Sequence, residues 1–402
     1  MNFFRDCWHH YMGESWFAQP VPDEITPDML FTPDTPFRAG ETIKARSVDR
    51  PGQTPWANVG GWNVPYFVVD SSLPEGPWAT GGGGYKMGRW WQRYESTALW
   101  RRPDSKCHQM GTLNIPMPLD PDFGPTLGGS NTDLSCAIID VNPANPRIWE
   151  GWIVRKQTAD TNYRAVTLAT SSDNGGHDSG ERIPTGEWTY RTVGYTQNFR
   201  HKPHHDYGSD TASACFGSLL ALGIDEMIAW AGVKREPDGS FSSIAPRIDS
   251  CQHVIGLELP TDIVPGGFYP PAAFTDGEGA NTTGLAYGQR IVLDRATADA
   301  IIADPAEPSW RKGLVWTLSR YGFMATDRSG TTAIRLEEWY PSMGGSNPWV
   351  YTIRDRMGLS TNYGKPGGPL YPDYASFMKA VPWGKLMALK GGLALPSPVG
   401  SK

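Results

Sequence analysis

Long apolar runs are missing from this sequence. No stretch approaches the roughly 18 consecutive apolar residues that a membrane-spanning helix requires. The amino-terminal residues MNFFRDCWHHYMGESWF are also unlike a signal peptide, because Arg5, Asp6 and two histidines interrupt their short apolar run. We therefore expect a protein made in the cytoplasm, without a signal peptide, a transmembrane segment or a membrane partner.

Closely spaced cysteines are absent too. The five cysteines are far apart and odd in number, and no two of them form a CxxC pair. This spacing excludes zinc-ribbon and dithiol redox chemistry and favours free, buried thiols in a protein folded under reducing conditions. The cysteines are Cys7, Cys107, Cys136, Cys215 and Cys251.

Recognisable catalytic motifs are equally scarce. Ser218 lies in CFGSLL, where Phe216 and Leu220 occupy the positions that a GxSxG elbow reserves for glycine. The tetraglycine Gly81–Gly84 is not followed by Lys-Ser or Lys-Thr, so it predicts a turn rather than a phosphate loop.

An excess of positive charge is also lacking. The formal net charge is −6 and the pI is near 5.8, which argues against nucleic acid as a partner. The segment Arg89–Arg102 mixes arginine with tryptophan and tyrosine, as base-stacking surfaces do. A Trp-rich strand pair with arginine over the aromatic faces explains the same residues.

Glycine, proline and aromatic residues are abundant instead. The chain of 402 residues contains 46 Gly, 35 Pro, 17 Trp, 16 Tyr and 14 Phe. Many turns that join short aromatic segments are typical of an all-β fold, and the aromatic content argues against disorder.

Residues 1–60 are rich in proline and cannot form long helices. We interpret them as an extended arm that docks on a domain or a neighbouring subunit, with a disordered tail as the alternative. Aromatic residues such as Trp16, Phe17 and Trp56 favour docking.

Residues 61–395 carry the patterns of one domain dominated by strands. Period-two alternation predicts strands at His253–Leu259 and Tyr287–Leu293. Apolar residues at helical spacing predict short helices within Phe216–Trp230, at Ala296–Ile302 and along a stripe of four residues. That stripe consists of Trp310, Leu314, Leu318 and Tyr321. Further short strands are predicted at Val64–Val69, Ala137–Asp140, Ile148–Val154, Ala165–Ala169 and Trp188–Val193.

A series of short motifs carries a resemblance. ACFGSLLALG, HVIGLELP, YPPAAFTDG, LAYGQRIVL and WTLSRYGFMATD follow in this order, after LNIPMPLDP, NTDLSCAIID and RIWEGW. Together they resemble a β-sandwich module of poorly characterised bacterial secreted proteins, similar to the concanavalin A-like, jelly-roll architecture. The resemblance covers about residues 110–390 and implies an all-β jelly-roll sandwich with a few short helices.

The sequence departs from that module in two ways. It lacks an export signal and has gained the proline-rich arm. A bacteriophage gene would explain both features, because virion parts are made in the host cytoplasm and dock through arms. This inference is one of association.

Carboxylates and histidines are the candidate chemistry. Five acids flank strand-like segments: Asp133, Asp140, Glu150, Glu258 and Asp276. No run in the sequence places two of them on one strand face, as catalysis by paired acids would favour. Acids that are solvated or paired with arginine are therefore the alternative to catalytic acids. The histidines 201, 204 and 205 with Asp206 and Asp210 have metal-like spacing. A loop broken by Pro203 and Gly208 explains them as well, so no metal and no other cofactor is predicted.

Aromatic side chains are the clearest functional hint. Trp149, Trp152 and Tyr163 lie on strand-like segments and are the candidates for stacking on sugar rings, with burial in the core as the alternative. We expect a virion structural protein of a phage tail or host-contacting appendage, an oligomer within the particle. Its expected partners are other virion proteins, through the arm, and host-surface glycans. The alternatives are a polysaccharide lyase or glycoside hydrolase on the same scaffold and a glycan-binding module without catalysis.

Overall fold

The computed structural model describes the central and carboxy-terminal parts of the chain most completely. The described residues are 16–30, 56–57, 65–72, 76–77, 90–96, 113–118, 135–152, 155–156, 161–162, 182–183, 188–189, 192–197, 211–213, 215–236, 240–260, 263–264, 266–272, 275–277, 285–329, 332–339, 347–359 and 376–391. Among these residues, no helix is long and apolar enough to cross a membrane.

The described secondary structure consists of many short strands and a few helices. In chain order the strands are β1 (Trp56–Ala57), β2 (Tyr66–Val69), β3 (Gly76–Pro77), β4 (Trp90–Ser96), β5 (Leu113–Pro118), β6 (Cys136–Asp140), β7 (Arg147–Trp152), β8 (Arg155–Lys156), β9 (Thr161–Asn162), β10 (Arg182–Ile183), β11 (Trp188–Thr189), β12 (Thr192–Gln197), β13 (Val233–Arg235), β14 (Phe241–Ser243), β15 (Ile255–Pro260), β16 (Arg290–Leu293), β17 (Phe323–Ser329), β18 (Ala333–Ile334) and β19 (Leu386–Ala388). The helices are α1 (Ile224–Trp230), α2 (Arg295–Ala303), α3 (Ser309–Arg320) and α4 (Pro348–Val350), which continues as a π-helical turn at Tyr351–Arg356. Short 3-10 turns lie at Trp16–Ala18, Pro27–Met29, Gly217–Leu219, Ser376–Ala380 and Trp383–Lys385.

The largest sheet has six strands in the order β1-β18-β15-β17-β16-β19. Its central pair, β15 and β17, is parallel, and the connection between them includes β16, α2 and α3. The pairs β15–β18, β16–β17 and β16–β19 are antiparallel, so the sheet is mixed. All four residues RIVL of β16 are buried; three of them are apolar, and the guanidinium of the fourth, Arg290, donates to the Gln19 carbonyl.

Local sequence signals explain the helices beside this sheet. Asp294 caps α2 by accepting a hydrogen bond from the Thr297 amide at 2.7 Å. Helix α3 ends at Arg320, and Gly322, two residues later, has a φ of +76° that lets the chain turn into β17. Gly313 of α3 faces the ring of Trp230, and a Cβ there would lie 2.3 Å from Cδ1 of that ring. Glycine is therefore required where α1 and α3 meet.

A second sheet has four strands in the order β12-β7-β6-β2, with β2 and β6 parallel. Its residues Tyr66, Ile139 and Ile148 belong to the same buried apolar cluster as Leu220 and Leu257 of the first sheet's surroundings. The smaller sheets are β3-β4-β5, β13-β14, β9-β10 and β8-β11.

The amino-terminal segment 16–30 packs against the six-stranded sheet. Phe17 is fully buried, and its carbonyl accepts from the Val254 amide at 2.9 Å. The Val21 amide donates to Arg320 at 2.6 Å, and the Met29 carbonyl accepts from Lys390 at 2.7 Å. This part of the expected arm therefore lies on its own domain.

The structure confirms a sheet-rich fold with a few helices. The predicted stripe lies on α3, where Trp310, Leu314 and Leu318 are buried, and the helix at Ala296–Ile302 is α2. A jelly roll is built from antiparallel strands. The parallel pairs and the helical connection were not predicted, and the jelly-roll form is not confirmed.

Candidate functional site

Two carboxylates meet at the carboxyl ends of the parallel strands β15 and β17. A bulge beside Leu257 shifts the register so that Glu258 lies opposite Asp327 rather than opposite Thr326. Ligands commonly bind at the carboxyl ends of parallel strands, because polar side chains from neighbouring strands converge there.

Arg335 connects these two acids. It follows β18, and its Nη2 lies 2.7 Å from Asp327 Oδ2 and 3.6 Å from Glu258 Oε1. Its aliphatic part crosses Gly256, where a Cβ would lie 3.2 Å from Arg335 Cδ. The glycine thus leaves room for a buried guanidinium that orients both carboxylates.

A third carboxylate, Asp276, extends the cluster. Its Oδ1 accepts a hydrogen bond from the Tyr287 hydroxyl at 2.8 Å, and its Oδ2 lies 2.7 Å from Arg328 Nε. Burial, followed by the charges of Asp327 and Asp276, raises the pKa of Tyr287 above its ordinary range. The phenol therefore stays a hydrogen-bond donor at neutral pH.

An exposed aromatic side chain lies on the loop whose backbone is bridged to Tyr287. Phe268 is 39% exposed and is the large apolar side chain that the described residues leave open to solvent. It forms a β-bridge with Tyr287, and the next amide, that of Tyr269, donates to the Tyr287 carbonyl at 2.8 Å. The Tyr269 ring lies against Gly391, where a Cβ would be only 2.0 Å away. The loop is thus fixed at Tyr269 and presents Phe268 outward.

We call Glu258, Asp276, Tyr287, Asp327, Arg328 and Arg335, together with Phe268, the acid–arginine site. Its carboxylates accept hydrogen bonds, and its guanidinium groups donate them in fixed directions. Arg328 and Asp276 remain about one-third exposed, at 38% and 31%. Oriented polar groups beside an apolar ring are what a ligand with hydroxyl groups and an apolar face requires.

Of the three predicted stacking residues, the side chain of Trp149 alone is described, and it does not belong to this site. Trp149 is only 4% exposed, and the Arg147 guanidinium lies 6.0 Å from its ring centroid. Its ring is therefore part of the core packing and offers no open face to a sugar. Trp152 ends β7, but its side chain and the whole of Tyr163 lie outside the described residues.

Four of the five predicted carboxylates lie among the described residues, in three different environments. Glu258 and Asp276 belong to the acid–arginine site. Asp140 accepts hydrogen bonds from the amide and hydroxyl of Ser71, at 2.9 and 2.6 Å. Glu150 is fully buried and accepts hydrogen bonds from the amides of Gly217 and Ser218. Asp140 and Glu150 therefore both bind backbone amides of other segments. Asp133, the histidines 201–205 and Gly81–Gly84 lie outside the described residues.

Sequence reasoning missed Asp327, Arg328 and Arg335. A usable signal existed, because Asp327 follows the buried residues Phe323–Thr326 directly, as Glu258 follows Ile255–Leu257. Polar residues at the carboxyl ends of two neighbouring buried strands meet only if the strands are parallel.

Comparisons with known proteins add no relative. Neither family models, nor curated protein sequences, nor solved structures give a significant match to this chain.

Proposed function

We propose that this chain is a structural protein of a bacteriophage particle, in the tail or a host-contacting appendage, and that the acid–arginine site binds a host-surface glycan. The observation that carries the proposal is a set of carboxylates and guanidinium groups that orient one another, with the exposed Phe268 bridged through its backbone to Tyr287 of the same site. A preorganised site loses little side-chain entropy on binding. A jelly-roll packing of the sheets stays a prediction that the proposal does not need.

The docked segment 16–30 supports the structural role. Its backbone is bonded to elements that are distant in sequence, including Arg320 and Lys390. The buried Arg290 also donates to the Gln19 carbonyl at 2.6 Å. These bonds show that the amino-terminal region can dock through its backbone, and contact of the arm 1–60 with other virion proteins is part of the proposal.

Glycan binding is tested with the full chain on an array of bacterial surface polysaccharides. We expect a ligand whose affinity falls at least tenfold in Arg328→Ala and in Phe268→Ala. Arg247→Ala is the matched control, because Arg247 is also exposed and forms an ion pair with Asp249, at 3.9 Å, away from the acid–arginine site. Absence of any glycan ligand, or an equal loss in Arg247→Ala, would contradict the proposal. Mass spectrometry of purified particles tests the virion location, and particles without peptides from this chain would exclude it.

A second candidate function is a carbohydrate-active enzyme. The observation that favours it is the side-by-side placement of Glu258 and Asp327, since glycoside hydrolysis uses two carboxyl groups that flank the scissile bond. Incubation with a polysaccharide panel distinguishes the two functions. New reducing ends or unsaturated products that disappear in Glu258→Gln and Asp327→Asn would establish the enzyme, whereas binding without turnover supports the adhesive protein.

A further inference from the structure

A second cluster of chemically versatile side chains lies in the core, apart from the acid–arginine site. It consists of Glu226 on α1 and of Cys251 and His253 just before β15. All three are buried, with exposures of 4%, 0% and 2%. One ligand atom of each lies within 4.8 Å of those of the other two.

The imidazole of His253 is held in the orientation that a metal ligand needs. Its Nδ1 lies 2.9 Å from the Val254 carbonyl oxygen, which can only accept, so Nδ1 carries a proton. Its Nε2 therefore points towards Glu226, whose Oε2 is 3.0 Å away. A metal-ligating histidine almost always donates its second ring N–H to a carbonyl or carboxylate in this way.

The carboxylate is fixed as well. Glu226 Oε2 accepts from the Gly223 amide at 2.8 Å, at the start of α1. The Ser250 hydroxyl donates to the Glu226 carbonyl at 2.7 Å, and the Thr317 hydroxyl donates to the Cys251 carbonyl at 3.2 Å. The backbones that carry Glu226 and Cys251 are thus positioned by neighbours.

We propose that Glu226, Cys251 and His253 form a buried binding site for a divalent transition-metal ion, with zinc as the ion that fits the ligands best. Sulfur, imidazole nitrogen and carboxylate oxygen are the ligand types of protein zinc sites, at about 2.0–2.3 Å from the ion. Ligand atoms within 4.8 Å of one another reach such distances after small side-chain shifts. The ion links α1 to the segment that leads into β15.

Charge is balanced with and without the ion. Without it, one proton is held in the 3.0 Å contact of His253 Nε2 with Glu226 Oε2, and the Cys251 thiol donates its own proton to the His253 carbonyl at 3.7 Å. On binding, the ion replaces the proton between His253 and Glu226 and the proton on Cys251 Sγ, and both protons leave to solvent. The loaded site contains a carboxylate, a thiolate, a neutral imidazole and a dication, so its net charge is again zero. Neither state leaves an uncompensated charge in the core.

Cobalt substitution of the purified full chain tests the site. After removal of metal with a chelator, we expect one Co²⁺ per chain, a thiolate-to-cobalt charge-transfer band, and release of two protons per ion. Cys251→Ser should abolish the band and weaken binding at least tenfold. Cys215→Ser is the matched control, because Cys215 is equally buried and lies outside the cluster.

The proposal fails if no thiolate band appears, even when Co²⁺ is supplied during refolding. It also fails if Cys251→Ser binds the ion as tightly as the wild type. Should Cys251→Ser not fold, proton release by the wild-type chain decides, and release of fewer than two protons per ion contradicts the proposed ligands.

Discussion

Replacement of Glu150 by glutamine should destabilise the protein without affecting the acid–arginine site. The carboxylate oxygens accept from the Gly217 amide at 2.8 Å and from the Ser218 amide at 2.7 Å. The same turn is bound to the second sheet by the Tyr66 hydroxyl, which donates to the Ser218 carbonyl at 2.9 Å. Glu150 thus connects β7 to the segment that leads into α1.

Glutamine can keep only one of the two bonds as an acceptor. The NH₂ group of the glutamine then faces the other backbone N–H, so that hydrogen bond is lost. Hydrogen bonds to a charged group contribute about 1.5–3 kcal/mol each to stability. We expect a loss of about 3 kcal/mol in the free energy of unfolding, since the remaining bond is also weakened. With an unfolding entropy of about 2.1 cal/mol/K per residue over 402 residues, this loss lowers Tm by roughly 4 °C.

Urea and thermal unfolding followed by circular dichroism measure this effect. Glu24→Gln is the matched control, because Glu24 is exposed, and exposed substitutions usually change stability by less than about 0.5 kcal/mol. If Glu150→Gln is as stable as Glu24→Gln, the carboxylate does not hold the turn. A loss of glycan binding with unchanged stability would instead place Glu150 in a functional role.

Three further predictions concern the core. Gly313→Ala should cost about 1–3 kcal/mol through overpacking against Trp230, whereas Gly384→Ala, which meets no atom within 4 Å, should be neutral in the same urea titration. Because folding raises the pKa of Tyr287 above its usual value of 10.0, the unfolded chain loses the hydroxyl proton at a lower pH than the folded chain does. The free energy of unfolding therefore falls as the pH rises above about 10. Tyr287→Phe should reduce that fall in urea unfolding measured across this range, and an unchanged pH dependence would contradict the shift. Burial also raises the pKa of three thiols. These thiols should not react with a thiol reagent in the native protein and should react in urea, which peptide mapping of the labelled chain measures. Labelling of the native protein would contradict their burial. These thiols are Cys136, Cys215 and Cys251.

Local patterns in the sequence predict much of the secondary structure. The helices α2 and α3 and the strand β15 follow from apolar residues at the spacing that one buried face requires. The apolar pattern does not define where each element begins and ends. The predicted helical segment Phe216–Trp230 contains a 3-10 turn followed by the shorter helix α1. Gly223 lies between the two and begins α1.

Long-range placement is what the sequence could not supply. Glu258 and Asp327 become neighbours through parallel pairing and a bulge; an all-antiparallel fold has no parallel pair, and bulges are rare within parallel pairs. Aromatic content did not identify the exposed residue, because Trp149 on β7 is buried whereas Phe268, in a loop outside the named strands, is exposed. Glu150 illustrates the same limit, since a buried acid that binds backbone amides is indistinguishable in sequence from a catalytic one.

Hydrogen–deuterium exchange of the full chain, alone and with a glycan that it binds on the array, tests the proposed binding site most directly. We predict slower exchange in peptides that cover residues 266–277 and 323–329, which contain Phe268, Asp276 and Arg328. Protection confined to β4 or β7, with these peptides unchanged, would show that the ligand binds elsewhere and that the acid–arginine site is not the working surface of this protein.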